Sequence, residues 1–258
     1  MLSVDLNCDM GESFGAYSIG HDEEIVPFVT SINIACGFHA GDPKTMRRTV
    51  DLAIKHGCGI GAHPGFEDLL GFGRRDIEAT PQEVCDLVTY QIGALYGFVK
   101  ATGAVMQHVK PHGALYNMAA RRADLADAIA TAVQRIDKNL LLFGLSGSEL
   151  IRAGKQAGLR TVSEVFADRT YQQDGSLTSR RLSNAVIDDP RLAAEHALKM
   201  VRDGRTGTVD GSEIEIKAET ICIHGDTPNA SNIAREIRKA LAEASIEVSS
   251  PAHFLHGK

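Results

Sequence analysis

The sequence predicts an α/β fold, a seven-stranded β/α barrel built as a single domain. Three observations predict it. Seven apolar, β-branched runs recur along the chain, and segments of helical period lie between most of them. The glycine fingerprint that opens the first turn of a doubly wound open sheet is missing, which favours closure. A chain of 258 residues, 43% of them hydrophobic, can bury a large core and falls in the size range of one α/β barrel.

The first strand is expected over Ser3–Asp9 and the second over Ser31–His39. Pro43 then introduces a helix over Lys44–His56, because proline at the first helical position sacrifices no hydrogen bond. The third strand, Gly59–Pro64, precedes a helix over Pro81–Thr102 whose N-cap is Thr80. The alternation continues with a strand over Val105–Gly113, a helix over Asp124–Ile136, a strand over Leu140–Ser146, a helix over Glu149–Ala157 and a strand over Arg160–Asp168. Asp168–Asp189 is long and lacks helical period, so it reads as a functional loop. A helix over Pro190–Asp203, the seventh strand over Thr220–Asp226 and a helix over Ala230–Ala244 complete the order.

Strand side chains alternate between faces, so residues of one parity share a side. Asp5, Asn7 and Asp9 oppose Leu6 and Cys8; Asn33, Gly37 and His39 oppose Ile32, Ile34 and Cys36; Cys222, His224 and Asp226 oppose Ile221 and Ile223. Gly61 with His63, His108 with Lys110 and His112, and Glu164 with Asp168 extend the polar set to six of the seven strands. The apolar side must meet the outer helices, so the polar side faces the barrel interior. These residues also crowd the carboxyl ends of the strands, where β/α proteins place their chemistry. Any one of them alone reads equally well as a hydrogen-bonded structural group; six together point to a site.

Composition narrows the partners. The net charge is −6 with cations dispersed among acids, so there is no basic stripe for nucleic acid. No apolar stretch is long enough for a membrane span, and Asp5 and Asp9 sit where a signal peptide would need a basic start and an apolar run. The five cysteines are scattered, fitting reduced thiols and a cytoplasmic location.

Among motifs, Gly147–Lys155 fails the phosphate-loop spacing and no GxSxG elbow exists. Gly144–Ser148, between a strand and a helix start, reads either as an anion-binding turn or as a plain one. Histidines 39, 63, 108, 112 and 224 with Asp5 or Asp9 have the donor types for a divalent metal, but their spacing is no recognised zinc signature. Lys110, Arg74, Arg75 and Arg169 are suited to gripping a carboxylate or phosphoryl group, with a solvated loop pair as the other reading of Arg74-Arg75.

The segments Asp5–Glu12 (DLNCDMGE), Ile32–Pro43 (INIACGFHAGDP), Gly61–Arg75 (GAHPGFED with FGRR), His108–Asn117 (HVKPHGALYN), Glu164–Tyr171 (EVFADRTY) and Cys222–Pro228 (CIHGDTP) resemble the LamB/YcsF family across essentially the whole chain. The resemblance implies a seven-stranded β/α barrel of the glycoside hydrolase/deacetylase type. It also implies ATP-hydrolysing opening of 5-oxo-L-proline to L-glutamate, with ATP and its Mg²⁺ as cofactor and separate B and C subunits as partners. On that reading Asp9, His63, Lys110, His112, Glu164, Asp168, Arg169 and His224 are the expected catalytic set. Asp9, Glu164, His63, His112 or His224 would supply the base, and Lys110 and Arg169 would stabilise developing negative charge. Asp5, Asn7, Glu12, Asn33, His39, Arg74, Arg75 and Asp226 are the expected substrate-binding set, and Asp5, Asp9, His39 and His63 the candidate metal ligands. Replacing Lys110 or Asp9 by Ala is expected to remove turnover and leave the fold intact. Two rival readings are a metal-dependent deacetylase or amidohydrolase acting without ATP, and a non-catalytic subunit that only binds substrate. Assembly into a homo-oligomer is left open.

Overall fold

The computed structural model describes residues 2–225 and 229–254. Its strands are β1 (Ser3–Met10), β2 (Ser31–Ala35), β3 (Gly59–His63), β4 (Met106–Val109), β5 (Leu141–Leu145), β6 (Arg160–Phe166), β7 (Arg205–Gly207), β8 (Glu213–Glu215), β9 (Thr220–His224) and β10 (Glu247–Val248). Strands β1 to β6 and β9 close into a parallel barrel, because β9 pairs with β6 through Glu164–Thr220 and with β1 through Asp5–Thr220 to Asp9–His224. The short β10 pairs with Ser3 and Val4 at the start of β1, and β7 and β8 form a separate antiparallel pair.

The helices are α1 (Asp22–Ile25), α2 (Pro43–His56), α3 (Pro81–Ala101), α4 (Gly113–Ala119), α5 (Ala123–Ile136), α6 (Glu149–Gln156), α7 (Pro190–Asp203), α8 (Ala230–Glu243) and α9 (Pro251–Phe254). Their ends follow from local chemistry. Asp42 accepts the Thr45 N–H at the start of α2, Thr80 and Glu83 form a capping box on α3, and Asp189 caps α7 ahead of Pro190. Gly57 and Gly204 close α2 and α7 in the left-handed region. Outward strand residues such as Leu6, Ile32, Ile34 and Ile221 form one apolar cluster with helix residues such as Val50, Val88, Ile129 and Ile237. Truncating one of these to Ala costs on the order of 2–5 kcal/mol.

Inside the barrel the packing is mostly polar. A small separate cluster of Leu141, Phe143 and Val162 plugs the β5–β6 side, with the His108 ring stacked on Phe143 at 4.1 Å. Asp5 lies among hydroxyls: Thr30 and Ser31 each donate to its Oδ1 at 2.7 Å, and Thr220 donates to Oδ2. Burial outweighs these bonds and lifts its carboxyl from 3.8 to about 6. The native chain therefore holds a proton that the unfolded chain releases, and stability falls as pH rises through that window. Asp5→Asn should remove this loss. Its stability relative to the parent, from urea unfolding at successive pH values, should climb between pH 4 and 6 by roughly 2–3 kcal/mol, and a flat difference would contradict the assignment.

Among the strands that end earlier than the sequence pattern implied, three leave expected site residues on the segments that follow them. β2 stops at Ala35 because Gly37 takes φ +92° and closes a turn on Ala40, so His39 projects from a loop. β4 ends at Val109 and β6 at Phe166, which leaves Lys110, His112 and Asp168 on the segments above the barrel rim. Asp226 lies outside the described residues.

Candidate active site

Lys110 occupies the centre of the barrel mouth. Its Nζ lies 2.9 Å from Asp9 Oδ1, 2.9 Å from Glu164 Oε1, 3.2 Å from Asn7 Oδ1 and 3.0 Å from Cys222 Sγ. Four acceptors thus surround three N–H donors, and the ammonium is 3% exposed. Burial opposes its charge, but Asp9, Cys222 and Glu164 together raise it well above the usual lysine value. Asn33 fastens the same floor by donating to Asn7 Oδ1 at 2.7 Å and Asp9 Oδ1 at 2.8 Å, while accepting from His108 Nε2 at 2.7 Å. Glu164 takes further hydrogen bonds from Asn7 at 2.9 Å and from the Tyr116 hydroxyl at 2.6 Å. Burial would raise the Asp9 carboxyl, yet His63 and Lys110 hold it well below the usual carboxylate range.

Beside this floor stands a cluster of three histidines. His63 Nδ1 donates to the Lys110 carbonyl at 2.7 Å, and its Nε2 faces Asp9 Oδ2 at 3.2 Å and His112 Nδ1 at 2.9 Å. His112 Nε2 donates to the Phe72 carbonyl at 2.8 Å. His39 is fully buried and stacks on His112, ring centroids 3.8 Å apart. Burial, followed by the neighbouring histidines, pushes both His39 and His112 well below the ordinary imidazole value. The turn that delivers His112 needs Gly113: it takes φ +56°, and a Cβ there would meet the Gly73 carbonyl oxygen at 2.5 Å.

The opposite wall is a His–Asp pair. His224 Nδ1 sits 3.0 and 2.9 Å from the two Asp168 oxygens, its ring stacks on Phe166 at 5.4 Å, and its side chain is 11% exposed toward the cavity it lines. Burial works against the Asp168 charge, but His224 prevails and lowers that carboxyl. The cavity encloses about 800 Å³, and six arginines line it: Arg74, Arg75, Arg121, Arg169, Arg180 and Arg181. Arg74 lies over the Phe72 ring at 4.8 Å, and Arg75 is held by Asp68. Arg169 spends its donors on the Ala185 and Thr178 carbonyls, and burial, with Arg180 and Arg74 nearby, lowers it to about 10. Arg180 Nη2 is buried with no hydrogen-bond partner.

The structure sorts the expected residues by depth. Asp9, His63, Lys110, His112, Arg74, Arg75, Arg169 and His224 line the cavity. Asn7, Asn33, Glu164 and Asp168 lie just behind it, bonded to those groups. Asp5 is one layer lower among Thr30, Ser31 and Thr220, away from the cavity, so it is not placed to hold a metal with His39 and His63. Among the described residues two groups have metal-ligand geometry: Glu12, His39, His63 and His112, and Asp9, Cys222 and His224. In the second group the Lys110 ammonium already contacts Asp9 and Cys222, so a cation is in place there. The Gly144–Ser148 segment is a plain turn. Ser146 N–H goes to Glu164, Ser148 N–H to Leu145, Glu149 N–H to Ala120, and Ile151 N–H to Ser148 Oγ, which leaves little for an anion. Tyr116, Arg121, Arg180 and Arg181 escaped the sequence pattern because loops and a seven-residue helix carry no period.

With this geometry in place, likeness to known proteins becomes informative. A Bacillus licheniformis protein named as the A subunit of 5-oxoprolinase is 60% identical over 250 residues, 97% of this chain and 99% of that one. The crystal structure of a lactam utilization protein from Thermus thermophilus superposes with a TM-score of 0.90 at 49% identity, covering 96% of this chain and 99% of that one. A deacetylase solved with its substrate, at 17% identity and a TM-score of 0.51 over 100% of this chain and 92% of that one, shares the fold alone. The LamB/YcsF family pattern matches residues 4–256, and at this breadth of agreement the chain belongs to the LamB/YcsF family.

Proposed function

We propose that this chain opens the lactam ring of 5-oxo-L-proline to L-glutamate in a reaction coupled to ATP hydrolysis, working in the cytoplasm as the A component of a complex with separate B and C subunits. The observation that carries this reading is the cavity itself, with a tightly bonded Asp9–Lys110–Glu164 floor, a His224–Asp168 wall and an arginine-lined mouth. The names of the relatives support the substrate. A lactam fills only a small part of about 800 Å³, and guanidiniums suit a phosphoryl group in the remainder.

An unstrained amide is a poor electrophile. Transfer of the ATP γ-phosphoryl group to the lactam oxygen, with ADP leaving, makes the ring carbon attackable. Water then adds to that carbon, a base takes its proton, and the ring C–N bond breaks as the nitrogen is protonated. A second water cleaves the resulting acyl phosphate to the carboxylate and inorganic phosphate. Nucleotide with Mg²⁺ supplies the leaving group. The chain's own residues orient the lactam, and His224 is the best placed base: Asp168 accepts from Nδ1, so in the neutral ring the lone pair that can take a proton lies on Nε2. Lys110, already saturated by acceptors, fixes Asp9 and Glu164 and is less suited to meeting an oxyanion than the sequence alone indicated.

The test is glutamate release from 5-oxoproline by the purified chain, alone and with B and C subunits, with and without ATP. Dependence on every component is the expected result. Brisk ATP-free hydrolysis by this chain alone would defeat the reading in favour of a lone amidohydrolase, and full activity from B and C without it would favour a dispensable binding subunit.

A further inference from the structure

We infer that Glu12, His39, His63 and His112 form a binding site for one transition-metal dication at the edge of the cavity floor. Hydrogen bonds fix the tautomers first. The Lys110 carbonyl requires a proton on His63 Nδ1, and the Phe72 carbonyl requires one on His112 Nε2. In the neutral rings, His63 Nε2 and His112 Nδ1 are then both lone pairs, yet they face each other at 2.9 Å with Asp9 Oδ2 at 3.2 Å from the first. Three acceptors converge where something positive has to sit.

A proton on His63 Nε2 would satisfy Asp9 and His112, but it does nothing for His39. His39 is fully buried, and neither of its ring nitrogens has a hydrogen-bond partner, an arrangement that costs stability unless a ligand uses it. The Glu12 carboxylate lies 3.9 Å from both His39 Nε2 and His112 Nδ1. One metal ion can draw a ligand atom from all four groups, since those atoms lie within 4.8 Å of one another, and it gives His39 the partner it lacks. The carbonyl partners of His63 and His112 are the outer contacts that ligating imidazoles ordinarily make. Phe72 adopts a left-handed backbone, φ +54°, as it presents its carbonyl to His112, a local strain that tertiary contacts sustain. Coordination asks the His39 ring to tilt off its stack with His112, and this breaks no hydrogen bond.

Three imidazoles and one carboxylate select Zn²⁺, Co²⁺ or a similar ion, whereas Mg²⁺ prefers an oxygen shell with retained water. This site is therefore distinct from whatever holds the Mg²⁺ of a nucleotide, and it stands or falls apart from the lactam reading. The experiment uses the full chain without partners, stripped with a chelator, then titrated calorimetrically with Zn²⁺, Co²⁺ and Mg²⁺, with the visible spectrum of the Co²⁺ form recorded. One equivalent of Zn²⁺ or Co²⁺ should bind, raise the melting temperature and give Co²⁺ bands of nitrogen coordination, while Mg²⁺ at equal concentration does neither. His39→Ala should weaken binding at least 100-fold, and Glu12→Gln, which keeps the shape of the side chain, at least 10-fold. Absence of stoichiometric Zn²⁺ and Co²⁺ binding by the folded chain, binding unmoved by both substitutions, or Mg²⁺ binding as well as Zn²⁺ would each overturn the assignment.

Discussion

Replacing His224 by Ala should lower turnover of 5-oxoproline roughly 10²- to 10⁴-fold, the contribution typical of a positioned acid–base group, while the barrel stays folded. His224 differs from the other imidazoles of the site in being the most exposed, 11% against 5% for His112 and 1% for His63, and in being tied by its Nδ1 to one carboxylate. Its loss removes ring contacts with Phe166 but leaves Asp168 near Arg169 and Arg180, so the buried charge keeps cationic neighbours. The measurement is kcat in the assembled, ATP-supplied system, set beside the thermal unfolding of the variant chain. Asp168→Asn is the companion: an amide facing Nδ1 no longer dictates the tautomer, so kcat should fall while KM changes little. Wild-type turnover from His224→Ala would move the base to the Asp9–His63 side of the cavity.

Within strands, much of this site was legible from alternation alone. Asp5, Asn7 and Asp9 on β1, Asn33 on β2, His63 on β3, His108 on β4, Glu164 on β6 and His224 on β9 occupy one side because extended backbone leaves no other choice. What alternation could not supply was depth. Asp5 and Asp9 have the same parity, yet four residues along β1 carry one to the hydroxyl-lined interior and the other to the cavity. Nor could it follow side chains beyond the strand ends. Lys110, His112 and His39 reach the site through turns whose paths depend on Gly37 and Gly113, and the arginines of the rim come from segments with no period to read. The β7–β8 pair was missed although Asp210-Gly211 stands between its alternating runs, a combination that marks a hairpin.

Lys110→Met should destabilise the chain by roughly 3–5 kcal/mol, the range for removing one partner of a buried charge pair. For Lys110→Ala the sequence reading expects loss of activity with the fold intact; the depth of the ammonium's burial adds a stability cost to any substitution that removes its charge. The methionine stem keeps much of the packing, including the region over Phe166, yet Asp9 and Glu164 then face a low-dielectric interior without the ammonium between them. Asn7, Asn33 and Tyr116 continue to donate hydrogen bonds to these carboxylates, which softens the cost without cancelling either charge. Urea unfolding of the parent and variant measures the difference directly. Adding Glu164→Gln to Lys110→Met should recover at least ~1 kcal/mol, because it removes one of the two stranded charges, whereas Glu164→Gln in the parent should be destabilising. A double variant no more stable than Lys110→Met alone would mean that the lysine holds the floor by shape rather than by charge, and the electrostatic account of the barrel mouth would have to be given up.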